Sequence, residues 1–210
     1  MRFPKALFLL IALACFSGAP SWARAEQAAA PAAAKDLYDA LLTSMKKGAS
    51  MNFAARRDML TPVIQRDYNL PLMTRFAVGS IWQSMAPENR RKLVEAFSAY
   101  SIATYARRFD GYSGERFEVD PVAAPLPGGD CIVHTKLFTG DPDPIQLDYR
   151  MRKTADCWRI IDVYLSGTIS EIAARRSEYS TILRQGGAPA LIELLTKKTA
   201  DLANQPPGSS

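Results

Sequence analysis

The chain has 210 residues, of which 48% are hydrophobic and 22% charged, and its formal net charge is +5. This length is sufficient for one globular domain. No stripe of Lys and Arg is interleaved with base-stacking aromatic residues, so the basic balance does not indicate a nucleic-acid-binding protein.

The N-terminus has the three parts of a secretory signal peptide. Arg2 and Lys5 precede an apolar run, residues 6–16, and residues 23–25, with the sequence Ala-Arg-Ala, have the pattern of a cleavage site. The run of about eleven residues is shorter than the roughly 20 that span a bilayer. We therefore predict that residues 1–25 are removed on export to the periplasm, which takes away three basic residues and leaves a formal charge of +2.

The first half of the mature chain has the apolar period of helices. Residues 26–34 are rich in Ala and low in complexity, and we predict a tether there. Asn69 is a suitable N-cap and Gly79 a suitable stop for a short helix, while Pro62 either kinks a helix or begins its second half. The predicted helices cover residues 35–47, 53–67, 70–78 and 87–109.

After Gly114 the apolar period changes from helical to two, which indicates strands. Leu147, Tyr149 and Met151 alternate with polar residues, so one face of the sheet is apolar. Short connections rich in Gly, Pro and Asp make neighbouring strands antiparallel. The four predicted strands cover residues 116–122, 130–138, 145–153 and 157–165.

Two helices are predicted after the sheet, over residues 170–185 and 189–202, and they are separated by two glycines. Residues 203–210 are predicted to be a disordered tail. The fold class is thus α+β, with one domain over residues 35–202. In this domain a four-stranded curved antiparallel sheet packs with the helices that precede and follow it.

The segment from the last strand into the next helix carries a family resemblance. It resembles the MlaC family of periplasmic lipid carriers, also called the toluene-tolerance family, through Trp158, Asp162, Gly167, Ser170, Arg175 and Arg176. The sequence of residues 162–179, DVYLSGTISEIAARRSEY, more closely resembles the hopanoid-associated branch of that family, HpnM. The resemblance covers about residues 35–198 and includes Gly79, Trp82, residues 87–91, Phe97, Tyr105, Tyr112, Gly114, Glu115, Asp148, Tyr149 and Arg150.

The resemblance implies an apolar cavity, enclosed by the sheet and helices, that holds a lipid with its head group at the mouth. It implies a soluble periplasmic carrier, without catalysis or a cofactor, for a phospholipid or a hopanoid-type lipid. The implied partners are an inner-membrane lipid transporter and an outer-membrane lipid complex. From the predicted faces and the family positions, the candidate lipid-binding residues are Phe76, Trp82, Phe97, Tyr100, Tyr105, Val119, Val133, Leu137, Leu147, Tyr149 and Ile161.

Two other functions stay open on the sequence. Asp162 lies in an apolar strand and is either the acid of an isomerase- or hydratase-type enzyme with a similar cone-shaped cavity, or a capping or paired residue with Arg175 or Arg176 as partner. A protein-binding adaptor is favoured if the domain holds no ligand and side chains fill the space between sheet and helices. No G-x-S-x-G elbow or Walker A loop occurs, and the single histidine, His134, has no partner at ligand spacing, so we predict no metal site.

The two arginines of the motif have two interpretations. Arg175 and Arg176 either bind an anionic head group at the cavity mouth or pair with Asp162 and Glu178 on the surface. Because exposed basic residues commonly form weak surface pairs, we favour the second interpretation.

Cys131 and Cys157 are the cysteines that remain after removal of the signal peptide. An oxidising compartment favours a disulfide between them. In a simple meander, however, the second and fourth strands lie about 10 Å apart, whereas a disulfide needs Cα atoms within about 7 Å. A twist or bulge where both strands begin would close the gap, and we lean towards a bond.

Overall fold

The computed structural model describes residues 21–155 and 157–205, without the side chains of residues 21–27 and 49. Residues 1–20 of the predicted signal peptide and residues 206–210 of the predicted tail lie outside the described residues. No helix in the described part is both long and apolar enough to cross a membrane.

Five α-helices lie before and after the sheet in the described chain. Three of them, α2 to α4, agree with the predicted bounds to within one residue. The helices are α1 (Ser21–Lys46), α2 (Phe53–Asp67), α3 (Leu70–Val78), α4 (Pro87–Arg108) and α5 (Glu171–Asn204), with short 3₁₀ helices at Gly48–Ser50 and Gly79–Ser84.

Local capping explains why the ends of α3 could be predicted. The side chain of Asn69 accepts a hydrogen bond from the backbone N–H of Leu72 at 3.2 Å, which satisfies one of the free donors of the first turn. Gly79 ends the helix with φ 74°, a left-handed conformation that favours glycine. Pro62 lies inside α2, which runs through it without a break.

The predicted tether, residues 26–34, is instead part of α1. Ala30 and Ala34 are 1% and 0% exposed. Alanine has the highest helix propensity, and its small side chain lets the helix approach its neighbours closely. The low-complexity pattern therefore reflects close helix packing here and not a flexible segment.

The sheet is open and antiparallel, and it has six strands where four were predicted. The four predicted strands correspond to β1, β3, β4 and β5, and the two additional strands have two residues each. The strands are β1 (Arg116–Val119), β2 (Ala124–Pro125), β3 (Asp130–Phe138), β4 (Ile145–Lys153), β5 (Trp158–Leu165) and β6 (Ile169–Ser170). Their order is β1-β3-β4-β5-β6, and β2 pairs with the other half of β3.

A register shift in β5 decides which side chains face the helices. Tyr149 pairs with Val163, whereas Met151 pairs with Ile160, so three residues of β5 correspond to two residues of β4. The irregularity lies between Arg150 and Met151. Because of it, Ile160 and Val163 both lie on the inner face although they are three residues apart, a spacing that regular period-two alternation does not allow.

The inner face of the sheet packs against the helices and forms the core. Phe97 of α4, Tyr149 of β4 and Ile160 of β5 are at most 2% exposed. Tyr38 of α1 stacks on Phe117 of β1 with ring centroids 4.0 Å apart. The first helix is thereby attached directly to the sheet.

The segment predicted as two helices after the sheet is α5, which has a kink at Gly187. This glycine has φ 65° and ψ −163°, which are not helical values, so two helical segments meet there. Arg107 of α4 donates hydrogen bonds to the carbonyl oxygens of Leu202 and Gln205, the latter at 2.7 Å. These bonds hold the last turn of α5 against α4.

Asp162 of β5 caps the start of α5. Its carboxylate accepts hydrogen bonds from the Ser170 hydroxyl at 2.6 Å and from the backbone N–H groups of Val163 at 2.8 Å and Ile172 at 3.1 Å. Ser170 accepts in turn from the N–H of Ala173 at 2.9 Å. Ser170 is thus the N-cap of this helix, and the partners of Asp162 are cap donors and not arginines.

On the outer face, Asp130 holds two arginines. Its side chain is 1% exposed and accepts from the guanidinium groups of Arg150 and Arg152 at 2.6 to 2.9 Å. Hydrogen bonding to Arg152 is the main cause that lowers the pKa of Asp130 from its usual value. The ion pairs link the start of β3 to β4.

No bond joins Cys131 to Cys157. Cys131 lies in β3 and pairs with Met151, while β5 begins directly after Cys157 on the other side of β4. Because the two strands flank β4 at twice the strand spacing, the preference for a disulfide is not supported.

We expect Asp162→Ala to lower the free energy of unfolding by about 2–3 kcal/mol, because it leaves buried N–H groups at the start of α5 without an acceptor. Chemical denaturation measures this change. Asp143→Ala, at an exposed position, is the control and should change stability by less than about 0.5 kcal/mol. Equal stabilities of the two variants would contradict the capping role.

We expect Asp130→Asn to destabilise the protein by about 2 kcal/mol at neutral pH, through loss of charge-assisted hydrogen bonds. A lowered folded-state pKa stabilises the protein above the unfolded value of about 3.9 and ceases to do so as the pH falls through the folded value. The stability difference from wild type should therefore shrink below about pH 3.9. Denaturation curves at several pH values test this, with Asp120→Asn, at an exposed position, as the control.

Candidate functional site

A cleft of about 90 Å³ lies between the inner face of the sheet and the helices. Strands β4 and β5 form one wall, α2, α3 and α4 form the other, and the first turn of α5 lies at one end. The lining residues are Ile64, Tyr68, Leu70, Met73, Phe97, Ser101, Thr104, Tyr105, Arg108, Phe109, Leu147, Tyr149, Val163, Leu165, Glu171 and Arg175.

The sheet wall is an apolar block made by two strands. Leu147 pairs with Leu165, and Tyr149 pairs with Val163. Directly paired residues on antiparallel strands project from the same face, so all four side chains face the helices. This wall offers a ligand an almost wholly apolar surface.

One face of α4 forms the longest part of the opposite wall. Phe97, Ser101, Thr104, Tyr105 and Arg108 line the cleft at helical spacing. The side chains change from aromatic to hydroxyl and then to cationic along this face. The helix therefore gives the cleft an apolar part and a polar end.

The tyrosine hydroxyl groups at the cleft satisfy one another. Tyr68 and Tyr105 are hydrogen-bonded through their hydroxyl groups, and their rings meet edge to face. Burial raises the pKa of Tyr68, Tyr105 and Tyr149. These side chains are therefore neutral at physiological pH.

The charged residues of the cleft lining are Arg108, Glu171 and Arg175. The guanidinium of Arg175 lies 3.3 Å from the Glu171 carboxylate and donates a hydrogen bond to the Tyr179 hydroxyl at 3.3 Å. It also lies 5.1 Å from the centroid of the Tyr100 ring. Arg175 thus lies beside the rings of Phe97 and Tyr100, whereas Arg108, which is exposed, lies two to three helical turns further along α4.

The predicted pairing of Arg175 and Arg176 with Asp162 and Glu178 is wrong. Arg176 donates to the backbone oxygen of Phe76 at 2.7 Å, and Glu178 binds Lys198 at 2.6 Å. Asp162 is occupied by the cap of α5, and Arg175 lies one helical turn beyond Glu171, at the spacing that favours an ion pair.

Four of the predicted lining residues lie together in the cleft, namely Phe97, Tyr105, Leu147 and Tyr149. Three others, Val119, Val133 and Leu137, lie on the same inner face further along the sheet, opposite Thr135, Tyr149 and Ile145.

The other four predicted residues lie outside the cleft lining. Phe76 and Trp82 lie beside Arg152 and Arg90, with cation to centroid distances of 5.9 and 5.7 Å. Tyr100 faces α5, and Ile161 is fully buried at the irregular part of β5. The predicted residues are thus divided between the cleft lining, the adjoining inner face of the sheet and positions outside both.

Sequence reasoning missed the polar members of the α4 face. Ser101, Thr104 and Arg108 follow Phe97 at four, seven and eleven residues, the same periodic face on which Tyr105 was selected. The predicted lining contains only aromatic and aliphatic residues and therefore lacks these three polar side chains. Helical spacing alone was sufficient to find them.

The cleft is smaller than a lipid site, so the enclosed lipid cavity expected from the resemblance is not seen. Ligand sites usually occupy about 300–1,000 Å³, against about 90 Å³ here. A groove of about 310 Å³ lies among α2, α4 and α5, but small side chains of Ala and Thr make most of its lining. The cleft is the stronger candidate because aromatic walls and convergent polar groups meet there.

His134 and Asp162 lie outside the cleft lining. The Nδ1 atom of His134 is 2.9 Å from the carboxylate of Asp148 on the outer face. In the described part of the chain, His, Cys, Asp and Glu nowhere form a group of three that could hold a metal ion. Both oxygens of Asp162 accept hydrogen bonds from the cap, so the position of this residue does not favour the enzyme hypothesis.

Comparison with known proteins places this architecture in a family. A solved phospholipid-binding protein from Ralstonia solanacearum, in complex with a phospholipid, superposes with a TM-score of 0.72 and 22% sequence identity, covering 83% of this chain and 99% of that one, which shows a shared fold. No curated protein matches the sequence. The family described as MlaC protein matches residues 35–197, and the chain therefore belongs to the MlaC family.

Proposed function

We propose that this protein binds a lipid in the cleft and carries it through the periplasm. The observation that carries the proposal is a cleft between sheet and helices with apolar walls and two arginines in its lining, in a member of the MlaC family. The shared fold with a protein solved with a phospholipid supports it. The cargo is a phospholipid or a hopanoid-type lipid.

The energetics of lipid transfer explain why a carrier is needed. A two-chain lipid exposes on the order of 30 methylene groups in water, at roughly 0.8 kcal/mol each, so leaving a bilayer unassisted costs more than about 20 kcal/mol. A protein that covers these chains makes the exchange nearly balanced. Loading and unloading then require only differential contacts with an inner-membrane lipid transporter and an outer-membrane lipid complex.

The cleft must widen to hold such a ligand. Its volume of about 90 Å³ accommodates only a short part of a chain. We propose that lipid chains separate the helices from the sheet and first contact Phe97, Tyr105, Leu147 and Tyr149. A wider cleft then reaches Val119, Val133 and Leu137, which lie along the same face.

The arginines of the lining offer contacts for the head group. Arg108 is exposed in the last turn of α4, and Arg175, beside Phe97 and Tyr100, is held by Glu171 and Tyr179. A phosphate diester accepts hydrogen bonds from guanidinium groups, which favour such planar, charge-assisted contacts. The hydroxyl groups of Ser101 and Thr104 lie between the apolar and cationic parts of the α4 face.

Organic extraction of the purified protein followed by mass spectrometry tests the proposal. We expect about one lipid molecule per chain, because apolar chains do not leave a closed site for water. Protein that carries no lipid and takes up none from vesicles would refute the proposal. An adaptor that binds only proteins would then be favoured.

We expect Leu147→Arg to reduce the lipid content per chain roughly tenfold or more, because the cation would face the acyl chains. Leu147 is half-buried, so the charge can reach water and the fold should survive. Extraction of the folded variant measures the effect. Val133 is 0% exposed, and Val133→Arg is expected to unfold the protein instead.

Leu126→Arg is the matched control for Leu147→Arg. Leu126 is also half-buried but lies next to the start of β3, away from the cleft. It should retain the lipid of the wild type. Undiminished lipid in folded Leu147→Arg would contradict the assignment of this wall.

A further inference from the structure

The hydrogen bond between Tyr68 and Tyr105 leaves one hydroxyl proton of this pair without an acceptor in the protein. Each phenol hydroxyl has one proton to donate and can also accept. A single hydrogen bond joins the two oxygen atoms, so one hydroxyl donates and the other accepts. Among the described residues, neither oxygen forms a second hydrogen bond. The accepting hydroxyl therefore has a proton to offer to a ligand or to water.

A second pair of hydroxyl groups, between α1 and β3, has no spare proton. Tyr38 and Thr135 are hydrogen-bonded to each other, and the Thr135 hydroxyl donates to the backbone oxygen of Leu147. The oxygen of Thr135 thus accepts the proton of Tyr38, and a carbonyl accepts the proton of Thr135. The spare donor is therefore a particular feature of the pair that lines the cleft.

Burial assigns the spare proton to Tyr105. Tyr68 is 3% exposed, whereas Tyr105 is partly exposed. A buried donor is nearly always satisfied within the protein, and a donor at a cleft can be satisfied by water or a ligand. Burial raises the pKa of both hydroxyl groups, and their hydrogen bond adds to this rise at Tyr68 and opposes it at Tyr105. This difference is that of a donor and its acceptor.

Tyr105 lies between an apolar and a cationic residue on the α4 face of the cleft. Phe97 precedes it by eight residues, and Arg108 follows it by three residues, which places Arg108 about 4.5 Å further along the helix axis. The Thr104 hydroxyl is already used, because it donates to the backbone oxygen of Tyr100 at 2.8 Å. The ester groups of a glycerolipid likewise lie between its phosphate and its chains.

We propose that the Tyr105 hydroxyl donates a hydrogen bond to an ester carbonyl oxygen of the bound lipid and makes the cleft prefer ester-linked chains. The inference rests on the proposed lipid binding, with the phosphate near Arg108 and the chains along Phe97. A lipid without a carbonyl at this position leaves the spare proton unpaired when water is expelled from the cleft. Such a lipid therefore binds more weakly.

Exchange with vesicles that contain two phosphatidylglycerol probes tests the proposal. One probe has ester-linked chains, and the other has the same chains in ether linkage, without carbonyl groups. We expect wild-type protein to take up the ester probe about three- to tenfold in excess when the vesicles contain equal amounts, as measured by mass spectrometry of the bound lipid.

Tyr105→Phe should lower this ratio to about one, because the ring remains while the donor is lost. Tyr68→Phe should retain the preference, since Tyr105 keeps its proton. The double variant Tyr68→Phe with Tyr105→Phe leaves no buried hydroxyl unpaired, so it should fold like the wild type and show no preference.

Tyr164→Phe is the matched control. Tyr164 lies between the lining residues Val163 and Leu165 on β5 and therefore faces the other side of the sheet. It should prefer the ester probe as the wild type does. Ser101→Ala examines the other hydroxyl of the α4 face that precedes Tyr105 by one turn, and it should also retain the preference.

The infrared band of the ester carbonyl gives a second measurement. A hydrogen-bonded carbonyl absorbs at a lower frequency than a free one. The band of the ester probe bound to wild type should therefore lie below that of the probe bound to Tyr105→Phe. Identical bands in the two proteins would contradict the hydrogen bond.

The outcomes separate this inference from the proposed function. Equal uptake of both probes by the wild type refutes the ester contact and leaves lipid binding intact. Loss of the preference in Tyr68→Phe or Ser101→Ala, with the preference retained in Tyr105→Phe, refutes the assignment to Tyr105. Uptake of neither probe by the wild type refutes the proposed function and with it the inference.

Discussion

The cap that Asp162 provides to α5 is the interaction on which the site depends. One carboxylate joins the end of the sheet to the start of a helix by accepting from Ser170, Val163 and Ile172. This junction fixes where α5 begins, and Glu171 and Arg175 lie in its first turns. Two charged residues of the cleft lining are thus positioned by an acid that does not itself line the cleft.

The two faces of the sheet separate ligand binding from stability. The outer face carries ion pairs, among them Asp130 with Arg150 and Arg152, whereas the inner wall of the cleft is apolar. Charges on the outer face can hold the strands together without placing a polar group against an acyl chain. The small cleft is consistent with this division, because an apolar wall without a ligand is best covered by other apolar groups.

The sequence alone determined the elements that have local signals. The bounds of α2, α3 and α4 and of the strands β3 and β4 follow from caps, stops and alternation, which act over a few residues, whereas β1 ends at Val119, three residues before its predicted end. The family resemblance was equally accessible, because its motifs are spread over nearly the whole domain. Phe97, Tyr105, Leu147 and Tyr149 of the cleft were found by combining both kinds of signal.

Only the tertiary structure decided the features that depend on distant neighbours. Ala30 and Ala34 are helical and buried because other elements cover them, which composition does not reveal. The register shift in β5 brings Ile160 and Val163 to one face through pairing with β4. Asp162 accepts from cap donors and not from an arginine, because a carboxylate at the start of a helix is stabilised by free N–H groups that only the folded chain presents.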